Sequence, residues 1–212
     1  MTGYRTQVLR HPDYIHSRVF DDVSMAFEGA LQDLGWLDDE GVPIIFGANI
    51  VCIYPHLVKE IPPEAIIVNL EPRGSTWLEN PVYLGLLQSH PVLEYDASMV
   101  GQWANARHCL IRYHRTLTRL RSDVEKTHDV LFYGGINGRR DEILRAVRAT
   151  GLRICAFDHR HWEERDQMIE RSKIVLNIHY YADAPLEMVR ISYALANGAF
   201  VLSEGPVDPA FG

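Results

Sequence analysis

From residue 129 to residue 204, four short apolar runs are separated by stretches with helical spacing, and this alternation restricts the chain more than any other feature. The run 129–133 ends in Gly134-Gly135 and reads as a buried strand entering a turn. Residues 139–150 follow as a helix, with Ile143, Leu144 and Val147 on one face and Gly151 as its stop. Residues 152–157 make a second strand, 162–172 a polar helix carrying Met168 and Ile169, and 173–178 a third strand. Pro185 suits the first position of a further helix, in which Leu186, Val189, Tyr193 and Ala196 share a face before Gly198 ends it. The run 199–203 closes the series. Parallel strands need crossovers, and right-handed helical crossovers are what this order supplies, so the half is α/β with a parallel sheet.

The first half repeats the theme less regularly. Residues 6–9 read as a strand, and Ser17 as the cap of a long helix in which Val19, Phe20, Val23, Phe27, Ala30, Leu31 and Leu34 recur at three- and four-residue steps before Gly35. Residues 42–46 and 65–68 are apolar strands, 82–88 is a short helix, and 91–95 and 109–111 each add a strand. The Arg- and His-rich stretch 107–128 separates the halves. It gives an N-terminal domain over 1–125 and a C-terminal domain over 126–212.

Composition narrows the function classes. With 21 Lys+Arg against 28 Asp+Glu the chain carries a formal charge of −7, and with 47% apolar and 23% charged residues it is a globular composition. No stretch reaches the ~18 apolar residues of a membrane span, and the first residues carry no apolar signal core, so a cytoplasmic location is expected. Cys52, Cys109 and Cys155 are odd in number and widely spaced, which fits neither a disulfide framework nor a thiolate metal site. Net acidity argues against a protein that coats nucleic acid by charge. Only Lys59, Lys126 and Lys173 are lysines, so positive charge comes as guanidinium, the group that binds phosphate and carboxylate bidentately; genomic codon bias gives the same composition. Arg107, Arg112, Arg115, Arg119 and Arg121 form one basic cluster, in which Arg112, Arg115 and Arg119 share a face if the segment is helical. Such a run serves an anionic acceptor or a polynucleotide, or is a solvated linker, and nucleic-acid binding ranks third among the readings.

Open α/β sheets place ligands outside the carboxyl ends of their strands. There the stretch Tyr133-Gly-Gly-Ile-Asn-Gly-Arg-Arg140 leaves the first strand of the second half and opens a helix. Glycines admit close backbone approach, helix starts offer N–H groups to an anion, and Arg139 and Arg140 add charge. The spacing matches neither the dinucleotide fingerprint nor a Walker loop, and a glycine-rich turn with solvated arginines accounts for it equally. The third strand ends in Asn177-Ile-His-Tyr-Tyr181, with Glu187 and Arg190 one turn apart beyond it, either a surface pair or part of a polar corner on the same sheet edge.

These motifs, from Asp129-Val-Leu-Phe-Tyr-Gly-Gly through Asn-Ile-His-Tyr-Tyr and Glu187-Met-Val-Arg-Ile-Ser-Tyr-Ala-Leu-Ala-Asn-Gly to Val-Leu-Ser-Glu204, resemble the donor-binding half of bacterial GT-B glycosyltransferases. The likeness is to the "glycosyl transferases group 1" and spore-protein-CgeB-like types. Upstream, Ile-Ile-Val-Asn-Leu-Glu71, His90-Pro-Val-Leu-Glu-Tyr-Asp96 and Tyr113-His-Arg-Thr-Leu-Thr-Arg119 extend it over most of 10–204. The resemblance implies two Rossmann-like parallel-sheet domains facing a cleft. It also implies transfer of a sugar from a nucleotide-diphosphate donor, held by the C-terminal domain, to an acceptor hydroxyl on a glycan, lipid or small molecule, without metal or other cofactor.

Carried over by position, Gly134, Gly135, Asn137, Arg139 and Arg140 face the donor phosphates, and His179, Tyr180, Glu187 and Arg190 surround nucleotide or sugar. Tyr193 stands where many retaining members have a glutamate, and Arg112-Tyr-His-Arg115 where relatives have a hinge. The sequence stops at Gly212 where relatives continue, so the C-terminal domain is expected to be incomplete. The alternative function is therefore a shortened, catalytically silent relative that binds a nucleotide or a protein, with a homodimer as one form. His16, Glu71 and Asp96, each expected just beyond a strand, are the candidates for the base that deprotonates the acceptor. His16 also reads as a helix-start residue beside its cap, and His11-Pro-Asp13 as a local turn. His159 and His161 lack a third ligand at zinc spacing, and no nucleophile elbow occurs.

Overall fold

Parallel strands that are mostly apolar must be covered on both faces, and the computed structural model contains two parallel sheets built from strands of three to six residues. It describes residues 3–7, 16, 18–53 (the backbone alone at 52 and 53), 55–158, 163–182 and 184–205. Two compact units divide between Thr116 and Leu117, whereas the sequence suggested 125/126. The intervening residues pack on the second unit: Asn197 Oδ1 accepts the N–H groups of Arg119 and Leu120, and its Nδ2 donates to Leu117 O.

In the first unit, β1 (Tyr4–Gln7), α1 (Asp21–Asp33), β2 (Val42–Phe46), α2 (Asn49–Ile53), β3 (Ile66–Asn69), α3 (Pro81–Ser89), β4 (Val92–Glu94) and β5 (Ala106–His108) follow in order. The strands lie side by side in chain order, all parallel. Ile45, Ile67, Tyr83, Leu87, Val92 and Trp103 are among its core. Asn80 caps α3 by accepting from Val82 and Tyr83, with Pro81 as the first helical residue.

The second unit contains β6 (His128–Tyr133), α4 (Gly138–Ala149), β7 (Ile154–Phe157), α5 (Glu163–Glu170), β8 (Ser172–Asn177), α6 (Met188–Ala196) and β9 (Phe200–Ser203). Its order is β7-β6-β8-β9, again parallel throughout. Val130, Phe132, Leu144, Leu176 and Ile178 form the core under α4. At the amino ends of the strands Asp129 holds both Arg153 and Lys173, at 3.2 and 2.7 Å.

Several expectations need correcting. The fifth strand is 106–108 rather than 109–111. It is an edge strand whose Arg107 and His108 face solvent, a polar pattern that hides it, while Cys109 only extends the ladder by donating to Glu94 O. The helix expected from Pro185 begins at Met188. Glu187, at φ −74° and ψ 67°, is the centre of an inverse γ-turn closed by Met188 N–H on Leu186 O, because its carboxylate is drawn to the sheet edge described below. Helix α1 starts at Asp21 after Phe20, and the proposed cap Ser17 lies outside the described residues, as do His11, Asp13, His159 and His161. Arg112, Arg115 and Arg119 share no helical face. Only Arg115–Leu117 forms one 3-10 turn; Arg115 is a bidentate partner of Asp33, and Arg119 packs over the Tyr193 ring. No helix among the described residues is long and apolar enough to cross a membrane.

Candidate functional site

The chain leaves β6 through Gly134, whose φ of +132° suits glycine alone. A Cβ there would also stand 2.9 Å from Arg190 Nη2. Asn137 then caps α4 by accepting from Arg140 N–H at 2.9 Å, and its Nδ2 donates to Tyr180 O. The cap leaves the N–H groups of Gly138 and Arg139 at the positive end of a twelve-residue helix. Asn177, the last residue of β8, and the segment 178–181 run beside this loop.

The two arginines differ. Arg140 turns inward and its side chain is 2% exposed. Its Nε and Nη2 donate to Ile178 O, Nη1 to Gly135 O, and Nη2 also to Glu187. The Phe132 and Tyr180 rings lie 5.3 and 5.1 Å from its Cζ. Burial, reinforced by the like charge of Arg190, lowers its pKa to about 10. A guanidinium so fully engaged fixes the loop rather than reaching solvent, which corrects the expectation that it faces a phosphate. Arg139 is 35% exposed, forms a fork with Glu204 at 3.0 and 2.5 Å, and donates to His179 O. Its bond to Glu204 raises its pKa.

Glu187 is the other centre. It accepts from Arg140, from Arg190 at 2.7 Å and from Tyr180 N–H at 3.1 Å. Arg190 also donates to Asn177 Oδ1. Of the two readings the sequence left open, surface pair or polar corner, the geometry is that of the corner, with Glu187 a half-buried bridge between two guanidinium groups. His179 is 1% exposed; its N–H donates to Glu204 and its Nε2 has no hydrogen-bond partner among the described residues. Burial pushes the imidazole below its ordinary pKa, against the attraction of Glu187 and Glu204, so it is neutral at pH 7. Tyr180 is 41% exposed, with its ring beside Gly135, where a Cβ would stand 3.7 Å from Cε2. All nine donor-side residues named from sequence therefore meet at one sheet edge. Asn177 and Glu204, which it missed, complete the set; each is a polar residue closing an apolar strand, and that was the available signal.

The first unit has its own polar edge. Asn69 and Glu94 end neighbouring strands in direct register. Asn69 donates to Glu94 at 2.7 Å and accepts from Tyr83 OH and from Glu71 N–H. Glu94 also accepts from Trp103 Nε1 and Asp96 N–H. Burial, with the like charge of Asp96, raises the pKa of Glu94 against the bonds from Asn69, Asp96 N–H and Trp103, and burial pushes Tyr83 well above an ordinary phenol. This network fixes two of the base candidates. Glu71, half-buried, accepts from Ser75 Oγ at 2.9 Å; burial raises its pKa against that bond and one from the Ala48 backbone. Asp96 is already occupied, accepting from Ser98 N–H and Oγ and pairing with Arg73 Nε at 2.8 Å. His16 is exposed on the turn ahead of α1, where its carbonyl accepts from Val19 N–H. Among the described residues no group of three His, Cys, Asp or Glu could hold a metal ion.

No family model matches the chain. Over 139 residues, 62% of this chain, it is 25% identical to the uncharacterized protein L138 of Acanthamoeba polyphaga mimivirus; the matched stretch is 16% of that protein. Among solved structures it is similar to AviGT4, a glycosyltransferase involved in avilamycin A biosynthesis, with a TM-score of 0.58 at 13% identity. That match covers 99% of this chain and 81% of AviGT4. The fold is accordingly α/β with two parallel-sheet units, as in a Rossmann-like GT-B glycosyltransferase.

Proposed function

We propose that the protein is a glycosyltransferase that takes its sugar from a nucleotide-diphosphate donor and passes it to an acceptor hydroxyl. The observation that carries this reading is the loop 134–137, which delivers a capped helix start and Arg139 to the same edge as Tyr180, His179 and the Arg140–Glu187–Arg190 bridge. Helix N–H groups and a guanidinium at that edge neutralise a departing diphosphate, the group whose charge develops during transfer. No metal is needed for that step. In the first unit Glu71 suits the acceptor's base better than Asp96. Its carboxylate carries one side-chain hydrogen bond and a raised pKa, whereas Asp96 accepts two bonds from Ser98 on Oδ1 and faces the Arg73 guanidinium at 2.8 Å with Oδ2, a charge that disfavours taking up a proton.

The test is a thermal titration with UDP, GDP, TDP and CMP. A ligand at a hundred times its Kd adds roughly 2.7 kcal/mol to stability, so the melting point should rise with one of them. A flat response to all four overturns the donor-site assignment. The internal commitment of Arg140 and Arg190 also favours a second reading, a relative that binds the nucleotide without transfer. Nucleotide binding with no release of sugar from any donor would select it.

A further inference from the structure

Arg139 is the one guanidinium of the three at this edge with more than a third of its side chain exposed; Arg140 is 2% and Arg190 15% exposed. It is also the one placed in the first turn of α4, beside the helix N–H groups left over by the Asn137 cap. Its outward fork is filled by a carboxylate of the same chain, Glu204, which directly follows β9. Carboxylate and phosphate present the same pair of acceptor oxygens to an arginine fork. Glu187 holds three donors and is 13% exposed, whereas Glu204 is 27% exposed and its carboxylate has, among the described residues, only the His179 N–H besides Arg139.

We propose that Glu204 is a built-in competitor at the anion site: its carboxylate holds Arg139, and a phosphate of a nucleoside diphosphate takes that guanidinium in its place. The proposal rests on the donor-site reading given above and adds to it a residue that sets how tightly, and how selectively, anions are held. Exchange costs little geometrically. Glu204 can keep its bond from His179 N–H while its free oxygen turns to water, and Arg139 keeps its bond to His179 O. A ligand bearing a single weak negative charge cannot repay the broken fork, whereas a diphosphate can, so the pair filters for multiply charged anions.

The experiment measures Kd for UDP and for inorganic pyrophosphate by calorimetry in the wild-type protein, Glu204→Gln and Asp141→Asn. The last removes an equal charge from the same first turn of the helix, where the Asp141 side chain pairs with the exposed Arg145 rather than with Arg139. Glu204→Gln should bind both ligands roughly three- to tenfold more tightly than wild type, the scale of one charge-assisted contact, with Asp141→Asn near wild type. Equal tightening in both variants shows bulk electrostatics at work and overturns the proposal. So does unchanged or weaker binding by a natively folded Glu204→Gln. If Glu204→Gln loses its native circular dichroism, Glu204→Asp, which retracts the carboxylate from Arg139, takes its place with the same expectation. Wild-type binding without tightening defeats this proposal alone; absence of binding in every protein defeats it together with the donor-site reading.

Discussion

Arg140 Nη2 donates to Glu187 across 47 residues of sequence at 2.9 Å, tying the start of α4 to the turn that precedes α6. The same guanidinium reaches Ile178 O and Gly135 O, so one side chain holds the connection leaving β6 against both ends of the connection leaving β8. Ordering through a buried cation is expensive when broken, because each acceptor left behind is desolvated and unpaired.

Replacing Arg140 by Met should therefore destabilise the protein by about 3 kcal/mol, at the lower end of the 3–5 kcal/mol typical for halving a buried ion pair. Arg140→Lys should recover part of this, since an ammonium keeps the charge but its donors leave one nitrogen and do not span the acceptors that Nε, Nη1 and Nη2 reach. Urea unfolding midpoints of the two variants measure it; a loss under 1 kcal/mol in Arg140→Met would show that the clamp is not a structural tie.

Gly134→Ala places a methyl group against Arg190 in a backbone region closed to L-residues. A cost of roughly 1–3 kcal/mol is expected from the backbone alone. Binding of the nucleotide found by titration should fall as well, because Arg190 must move and takes Glu187 with it. Thermal melts with and without ligand separate the two effects.

Glu71→Gln and Asp96→Asn should part company. Loss of Glu71 should reduce turnover by 10²-fold or more with stability close to wild type, the usual size of a general-base deletion. Asp96→Asn keeps an oxygen that can cap Ser98 N–H and loses only the charge opposite the half-exposed Arg73, so it should cost at most about 1 kcal/mol of stability and leave turnover near wild type. Equal, modest activity losses in both would leave neither as the base.

The buried Glu94 gives a pH signature. Its pKa in the folded chain is raised from 4.5 mainly by burial, so its contribution to stability is full below about 4.5 and is lost as pH rises through the higher folded value. The stability of wild type relative to Glu94→Gln should accordingly decline from pH 4 to pH 7 in urea titrations. Asp129 has the opposite sign. Bonds from Arg153 and Lys173 hold its pKa far below 3.8, so the advantage of wild type over Asp129→Asn should be full well above 3.8 and shrink progressively as the solution is acidified below it.

The strands and helices of the second unit were legible because apolar periodicity and glycine stops agree along 129–204. Gly134 could be singled out because a glycine after a buried strand has few other reasons to be there. The opposite fates of Arg139 and Arg140 could not be read, since adjacent arginines at a helix start look alike until the fold brings Ile178 O beneath one of them. Glu204 was likewise silent, its partner lying 65 residues away. Edge strand β5 was missed because polarity, useful against aggregation, erases the apolar mark of a strand.

The γ-turn at Glu187 makes a single residue both the elbow of the chain and the bearer of the carboxylate that two arginines grip. One residue more or fewer between 184 and 187 cannot be taken up as slack, because it would unfasten both cations together. Chains descended from the same ancestor that preserve the two arginines should hold this stretch at constant length, however freely the neighbouring loops grow.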